Sequence, residues 1–385
     1  MVNFSMQKNQ TQKTVMIIAG EASGDIHGAH LVNAIKKKND SIFFCGIGGN
    51  AIRKAGVKTI FDANKLAVVG ITEVFSKIPV ILKGMATVKK LLKSLKPDLL
   101  ILIDFPDFNF RAAKIAKKLN IPTLYYIAPQ VWAWRKNRIE KIKKLMDHVA
   151  VILPFEKKFY TKKNIPVSFV GHPLLDGDIA KKKFEKIGDN NFTIGFLPGS
   201  RNSEITRLLP IMLEAGEILS KMDKKIDFII SKAPSIETDK FQSIIGKHKT
   251  NINIKIIEGG VEKILEKSKM VIACSGTVTI EVAISGTPML IVYKTSPLTY
   301  MLGKALIDIE SVGLANLIAG KKIVPELIQN EATPKNIAET SMEIIKDTKK
   351  LEDMKKELLS IRTLLGSPGA SERVADIALD MLNEN

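Results

Sequence analysis

The stretch GFLPGSRNSEI, residues 195–205, begins as the end of an apolar strand and breaks at Pro198-Gly199 into Ser200 and Arg201, just before a helical run. Pro and Gly stop a strand, and a helix starting at the break presents N–H groups that lack intrahelical partners and attract anions. Arg201 adds a planar fork of donors suited to phosphate. The turn, with Gly199, Ser200 and Arg201, reads as half of a diphosphate clamp; an ordinary β-to-α turn with a surface arginine is the plainer alternative. Either way it is one strand–turn–helix unit, and the fold follows from how that unit recurs.

It recurs along almost the whole chain. Ahead of it, strand-like runs lie at Val15–Ala19, Ser41–Cys45, Asp98–Asp104, Thr123–Ile127, Val149–Leu153 and Val167–Val170, with helical stretches such as Asp25–Lys38 and Arg111–Leu119 between them. After a lysine-rich passage near 173–190 the alternation restarts, with strands at Phe192–Leu197, Ile226–Ser231, Ile252–Ile257, Val271–Cys274 and Met289–Tyr293. Helix-like runs at Leu208–Lys221, Val261–Ser268 and Val278–Ser285 separate them. The pattern predicts an α/β protein of two Rossmann-like, doubly wound domains, with the carboxyl ends of both strand sets turned to a shared central cleft. The expected division is 1–175 and 190–365, and 366–385 supplies a last amphipathic helix, Ser371–Leu382, after the break GSPG.

Composition narrows the function classes. A chain of 385 residues, 45% hydrophobic and 25% charged, is globular and long enough for two domains. Its apolar runs are interrupted short of the ~20 residues a membrane span requires. The polar N-terminus lacks a signal core, and Cys45 and Cys274 have no CxxC partner, which fits a reducing cytoplasm. A formal charge of +18, concentrated in first-half clusters such as Lys36-Lys37-Lys38 and Arg135–Lys144, asks for an anionic partner. No cluster carries the aromatic–Gly alternation of an RNA-binding sheet or zinc-finger spacing, so nucleic acid is not the expected partner. The five histidines are scattered, and no HxxxH or Cys/His cluster occurs, so neither a protein-held metal nor another cofactor is expected. GxSxG, P-loop and GxGxxG signatures are all missing, which disfavours hydrolase, ATPase and dehydrogenase readings.

The chemistry is therefore sought at strand ends. VIACSGTVTIEVAISGTP, 271–288, presents Ser275, Gly276 and Thr277 at a helix start, and Glu281 one turn further in could accept from two ribose hydroxyls. In the first half, VMIIAGEASGD, 15–25, places Gly20 and Gly24 where a ligand could approach the backbone, with Glu21, Ser23 and Asp25 as polar contacts. DLLILIDFPDFNF, 98–110, is an apolar strand ending at Asp104, with Asp107 and Asn109 expected in the following loop; Asp104 is the candidate general base. YYIAPQVWAWR, 125–135, adds Trp132 and Trp134 as core anchors or as a wall of the cleft beside Gln130 and Arg135.

In order, AGEASGD (19–25), LAVVGITEV (66–74), KPDLLILIDFPDFN (96–109), APQVWAWR (128–135), LPFE (153–156), FVGHPLLD (169–176), LPGSR (197–201), SGTVTIE (275–281) and GLANLIAGKKIVPELIQ (313–329) resemble the lipid-A-disaccharide synthase family. The resemblance covers 15 to about 335. It implies a GT-B, inverting glycosyltransferase that transfers 2,3-diacylglucosamine from UDP-2,3-diacylglucosamine to the 6-hydroxyl of 2,3-diacylglucosamine 1-phosphate. Such a protein works without a cofactor, peripherally, at the cytoplasmic face of the inner membrane. By motif, Asp104 resembles the family's essential aspartate, and Arg201, the SGTVTIE segment with Glu281, and Asn316 resemble its UDP-sugar site. Whether Asp104 or Asp107 is the base stays open in the sequence.

Acylated substrates would give the apolar, lysine-dotted segment 66–95 a task. Val68, Val69, Ile71, Val80, Ile81 and Leu82 are candidate membrane-facing residues, and the basic first half would meet anionic lipid. The alternative is a helix packed on the first sheet. Two other functions remain in play at this level: another UDP-sugar enzyme of the same architecture, such as a UDP-N-acetylglucosamine 2-epimerase, and a non-catalytic basic protein that binds membrane or nucleic acid.

Overall fold

The computed structural model describes residues 12–62, 71–132, 138–182, 184, 191–248, 252–296, 300 and 311–384, with backbone alone at Ala22 and 71–78. Its first strands are β1 Thr14–Ala19, β2 Phe43–Gly48, β3 Lys58–Asp62, β4 Leu99–Ile103, β5 Thr123–Tyr126, β6 His148–Val151 and β7 Val167–Phe169. The second set is β8 Phe192–Leu197, β9 Ile226–Lys232, β10 Ile254–Glu258, β11 Met270–Cys274, β12 Met289–Tyr293 and β13 Glu326–Ile328. They form two sheets, ordered β3-β2-β1-β4-β5-β6-β7 and β10-β9-β8-β11-β12-β13. Neighbouring strands pair parallel throughout. Two compact units result, one of residues 1–173 with 367–385, the other of 174–366.

Burial on both faces follows from the strand sequences. In the first unit Val15, Ile17 and Ala19 of β1 join one apolar cluster and Met16 and Ile18 the other. β4 divides in the same way, Leu99, Ile101 and Ile103 against Leu100 and Leu102. A strand apolar at every position needs helices on both sides, and each fully buried side chain of this size contributes about 1.5–3 kcal/mol.

The topology also selects the functional turns. In each sheet the chain adds strands to one side of its first strand and then crosses to the other, so order reverses between β1 and β4 and again between β8 and β11. Ligands of open α/β sheets bind beyond the carboxyl ends at such reversals. Ala19 pairs with Ile103, so Gly20 and Asp104 leave the first sheet side by side. Ala273 pairs with Leu197, bringing the turns that begin at Pro198 and Ser275 together in the second unit.

Several expected boundaries shift for physical reasons. β2 does not end at Cys45 but runs through Gly46-Ile47-Gly48. A Cβ at Gly46 would lie 1.8 Å from the Ile17 carbonyl oxygen, so glycine here serves strand pairing and not a turn. The helix expected at Arg111 starts at Pro106 and ends at Lys118, which places Asp107 and Asn109 in its first turns and not in a loop. The helix after β8 spans Asn202–Met222 and contains Pro210, and β3 and β13 add edge strands. Helix Ala370–Asn383 packs on helix Ala22–Lys38, burying Val374, Ala375, Ala378 and Leu382 in the first unit's core.

Helix Ile71–Leu95 corrects part of the membrane reading. Val80 and Ile81 pack against the first unit's core, as do the buried Val88, Leu91 and Leu92, and only Leu82 is exposed, at 56%. Lys83, Lys89, Lys90 and Lys93 line its solvated face. Val68, Val69, Trp134, Arg135 and the Ile71 side chain lie outside the described residues. Among those described, no helix is long and apolar enough to cross a membrane.

Candidate active site

At the first reversal Asp104 and Phe105 both adopt φ of 48°, the left-handed region that non-glycine residues avoid. Three bonds hold the strained corner. Asn109 Nδ2 donates to the Asp104 carbonyl at 2.6 Å and to that of Ile103 at 3.3 Å, while the Tyr125 hydroxyl donates to the Asp104 carbonyl at 2.9 Å. Burial, and after it the Asp104 charge, push the Tyr125 hydroxyl well above its ordinary value, which keeps it a donor. Asp104 itself is half-buried. Asp107, by contrast, is largely exposed and ion-paired to Arg138, whose guanidinium is buried beneath it and lies 5.8 Å from the Phe110 ring centre.

The neighbouring turn reassigns three predicted contacts. A Cβ at Gly20 would stand 2.2 Å from the Phe105 ring, so the group that closely approaches this glycine is the chain's own Phe105. Gly24 faces Ala19 and Ile103 at van der Waals distance, seating its helix on the sheet. Asp25 is buried, and its carboxylate accepts from the N–H groups of Gly49, Ala51 and Ile52 at 2.6, 2.8 and 3.2 Å. It caps helix Asn50–Lys54 and is not disposed as an acceptor contact. Glu21 and Ser23 remain exposed at the uncapped start of helix Ala22–Lys38, with Ile26, 51% exposed, one turn further.

Trp132 is half-buried at the carboxyl end of β5 and donates through Nε1 to Glu156 at 2.9 Å. Glu156 also accepts from the Leu153 N–H at 3.1 Å. Burial raises its carboxyl to about 7 against the opposing pull of these bonds.

In the second unit the opening motif meets an internal occupant. Glu204 Oε2 accepts from the N–H groups of Ser200 and Arg201 at 2.9 and 3.1 Å, and its Oε1 lies 3.6 Å from the Arg201 guanidinium, itself 70% exposed. A Cβ at Gly199, whose φ is +109°, would stand 2.4 Å from that carboxylate. The amides read as a phosphate cradle thus already hold an anion. The adjoining turn is different. Helix Val278–Ser285 has no side-chain cap, and the N–H groups of Gly276, Thr277 and Val278 meet no acceptor among the described residues. The space beside Gly276 is open, and Ser275 is pinned by bonds from its hydroxyl to Val312 O at 3.1 Å and from its N–H to Val292 O at 3.2 Å. Glu281 sits one turn in, mostly buried, and burial alone lifts its carboxyl to about 7.

Asn316 is also corrected. Its amide donates to Val324 O and Glu326 Oε1 at 2.9 and 2.6 Å, and its oxygen accepts from Ile323 and Val324 N–H at 2.8 and 3.0 Å. Every polar valence is used inside the fold. Glu326 in turn accepts from Val312 and Gly313 N–H at 2.8 and 3.1 Å, capping helix Leu314–Ala319. Sequence reasoning missed Glu204, Glu326 and Glu156. The spacing of an acid three residues after the cap, Arg201 to Glu204 and Leu153 to Glu156, was the available signal for two of them.

Among the described residues no group of three or more His, Cys, Asp or Glu is placed to hold a metal ion. A cavity of about 400 Å³ in the second unit is lined by Asn191, Thr193, Asp227 and Lys255 at the amino ends of its strands, the wrong end for an α/β ligand.

Two doubly wound parallel sheets, each with turns gathered at a reversal of strand order, define the GT-B class. The glycosyltransferase of kitacinnamycin superimposes with a TM-score of 0.63 at 12% identity, covering 96% of this chain and 98% of that one. UDP-GlcNAc 2-epimerase from Neisseria meningitidis, solved bound to UDP-GlcNAc, gives 0.61 at 17%, covering 97% and 100%. The family described as Lipid-A-disaccharide synthetase matches residues 15–378. Lipid-A-disaccharide synthase of Geobacter metallireducens is 44% identical over 380 residues, 97% of this chain and 98% of that protein. The chain belongs to the lipid-A-disaccharide synthase family and is a glycosyltransferase.

Proposed function

We propose that the protein transfers 2,3-diacylglucosamine from UDP-2,3-diacylglucosamine to the 6-hydroxyl of 2,3-diacylglucosamine 1-phosphate, giving the β-1',6-linked disaccharide 1-phosphate and UDP. The observation that carries the site assignment is the open turn at Gly276–Val278, beside Arg201 and one helical turn from Glu281. The donor diphosphate lies on these amides and on Arg201, and the ribose hydroxyls donate to Glu281. As the glycosidic bond breaks, the anomeric carbon gains oxocarbenium character and charge collects on the departing diphosphate, where preorganised amides and a guanidinium stabilise it without reorganising.

Asp104 takes the proton of the acceptor hydroxyl, and one displacement on the face opposite UDP inverts the anomeric centre. Asp104 is preferred to its rival Asp107 because it leaves the sheet at the reversal of strand order beside Gly20, whereas Asp107 lies in the following helix, largely exposed. Glu21, Ser23 and Trp132 contact the acceptor sugar, with Ile26 beside them for its acyl chains. The protein works peripherally at the cytoplasmic face of the inner membrane, where Leu82 and the lysine face of helix Ile71–Leu95 meet anionic lipid. Each well-placed Lys contributes ~1 kcal/mol to such binding. Reversing the charge of Lys89, Lys90 and Lys93 should weaken vesicle association more at low salt than at high; salt-independent association would remove the electrostatic part.

The test is UDP release from UDP-2,3-diacylglucosamine and diacylglucosamine 1-phosphate in detergent. Wild type should release UDP only with acceptor present, and Asp104→Ala should lower turnover by ~10²–10⁴-fold while leaving UDP affinity intact. Release that survives Asp104→Ala moves the base elsewhere, first to Asp107. A wild type that releases no UDP, but interconverts UDP-N-acetylglucosamine with its 2-epimer, overturns the transfer reaction itself.

A further inference from the structure

The Pro198–Arg201 turn holds a carboxylate where the sequence pattern expects a phosphate. Glu204 binds two amides through one oxygen and faces the Arg201 guanidinium with the other. It is half-buried and close enough to the carboxyl ends of β11 and β12 that its charge is felt by the Cys274 thiol, and by the Tyr293 hydroxyl together with Arg201 and Arg207. The reversal of strand order therefore brings the Glu204–Arg201 pair to the turn beside the open one at Gly276–Val278.

We propose that Glu204 is a positioning residue that competes with the donor diphosphate for the Arg201 guanidinium, so that UDP is held for transfer and then let go. This rests on the UDP-sugar reading above. Before donor binds, the Glu204 carboxylate keeps Arg201 near the turn. An incoming diphosphate, carrying more charge, draws the guanidinium away, while Glu204 stays on the Ser200 and Arg201 amides. After transfer the same carboxylate still competes for Arg201, which weakens the hold on UDP and favours its release. Ion pairs exchange readily at a site this exposed because both states are solvated and closely balanced. The same carboxylate blocks the Ser200 and Arg201 amides, so the diphosphate is directed to the neighbouring turn.

The experiment is UDP binding by calorimetry, with steady-state transfer kinetics, on wild type, Glu204→Gln and Glu204→Asp. Gln keeps an oxygen for the amides but removes the charge that competes for Arg201. UDP should then bind about 5–10-fold tighter, with kcat reduced by a similar factor as product release slows. Asp keeps the charge on a shorter stem and should bind UDP no tighter than wild type. A structural role alone predicts weaker or unchanged UDP binding in both variants, and either result for Glu204→Gln overturns the proposal. Should Glu204→Gln fail to fold, a crystal structure of wild type with UDP decides: an Arg201 guanidinium moved from Glu204 to the diphosphate, with Glu204 still on the Ser200 and Arg201 amides, supports the proposal, whereas an intact Glu204–Arg201 pair beside bound UDP overturns it. A wild type that binds no UDP sinks the function reading as well, whereas wild-type binding with no gain in the Gln variant sinks only this inference.

Discussion

The turn after β8 and the turn after β11 lie side by side at the same reversal of strand order, and both join a buried strand to a helix through glycine and serine. One is filled by Glu204 and the other is open. The difference is a single side chain reaching back one turn, and it decides whether a helix N-terminus is a cap or a binding site. The same division runs through the rest of the molecule. Asp25, Glu156 and Glu326 close three other helix starts with carboxylates from within the fold, while those following β1 and β4 carry no side-chain cap.

The sharpest way to break the comparison is at a closed turn. Asn316→Ala should destabilise the second unit by about 3–4 kcal/mol, because it orphans buried amides, a carbonyl and part of the Glu326 carboxylate. Thermal or urea melts check this, and a stable Asn316→Ala that loses only UDP affinity would return Asn316 to the ligand site. Next, Gly199→Ala should cost about 2–3 kcal/mol, since it puts a Cβ against Glu204 at a φ that suits glycine. A variant melting like wild type would show that Glu204 does not hold this turn.

The pH dependence comes third. Burial raises Glu281 from its ordinary 4.5 to about 7, so the folded chain keeps a proton that the unfolded chain has released. The contribution of Glu281 to stability is therefore full below pH 4.5, falls as pH rises towards 7, and is lost above it. Glu281→Gln should match wild type near pH 4.5 and become the more stable protein as pH rises to 7 and above. UDP should narrow the gap, because ribose hydroxyls stabilise the ionised carboxylate; equal pH profiles for the two proteins would deny the burial effect.

The smallest effect tests the open turn. Thr277 has φ of −57°, which proline accepts, so Thr277→Pro removes one N–H without straining the chain. UDP affinity should fall ~10-fold, as expected for one hydrogen bond to a charged group, with the melting temperature unchanged. Unchanged affinity would place the diphosphate elsewhere.

Much of this was legible beforehand for a simple reason. Strands apolar at every residue, alternating with amphipathic helices, can be buried only as parallel sheets covered on both faces, and that logic is local. The missed strands are edge pieces: Lys58–Asp62 is half-buried and Glu326–Ile328 has only three residues, so neither shows an apolar run. Val80 and Ile81 were read as facing lipid because an amphipathic helix looks the same whether its apolar side meets a bilayer or a sheet. Asp25 looked like a ligand contact because a polar residue near a strand end carries no mark of whether its partner is a substrate or a neighbouring loop, and the family resemblance that pointed to Asn316 carries no such mark either.

By itself the sequence determined the two-sheet α/β architecture, the strand-end location of Asp104, Arg201 and Glu281, and, through the order of its motifs, the family. Periodicity and turn residues act over a few positions, and a single chain displays them directly. Only the tertiary structure decided which of those turns are closed. The partners of Asp25, Asn316 and Glu326 come from segments 24–27, 7–10 and 10–14 residues away, and whether a polar group's hydrogen bonds are already satisfied depends on the path the backbone takes between them.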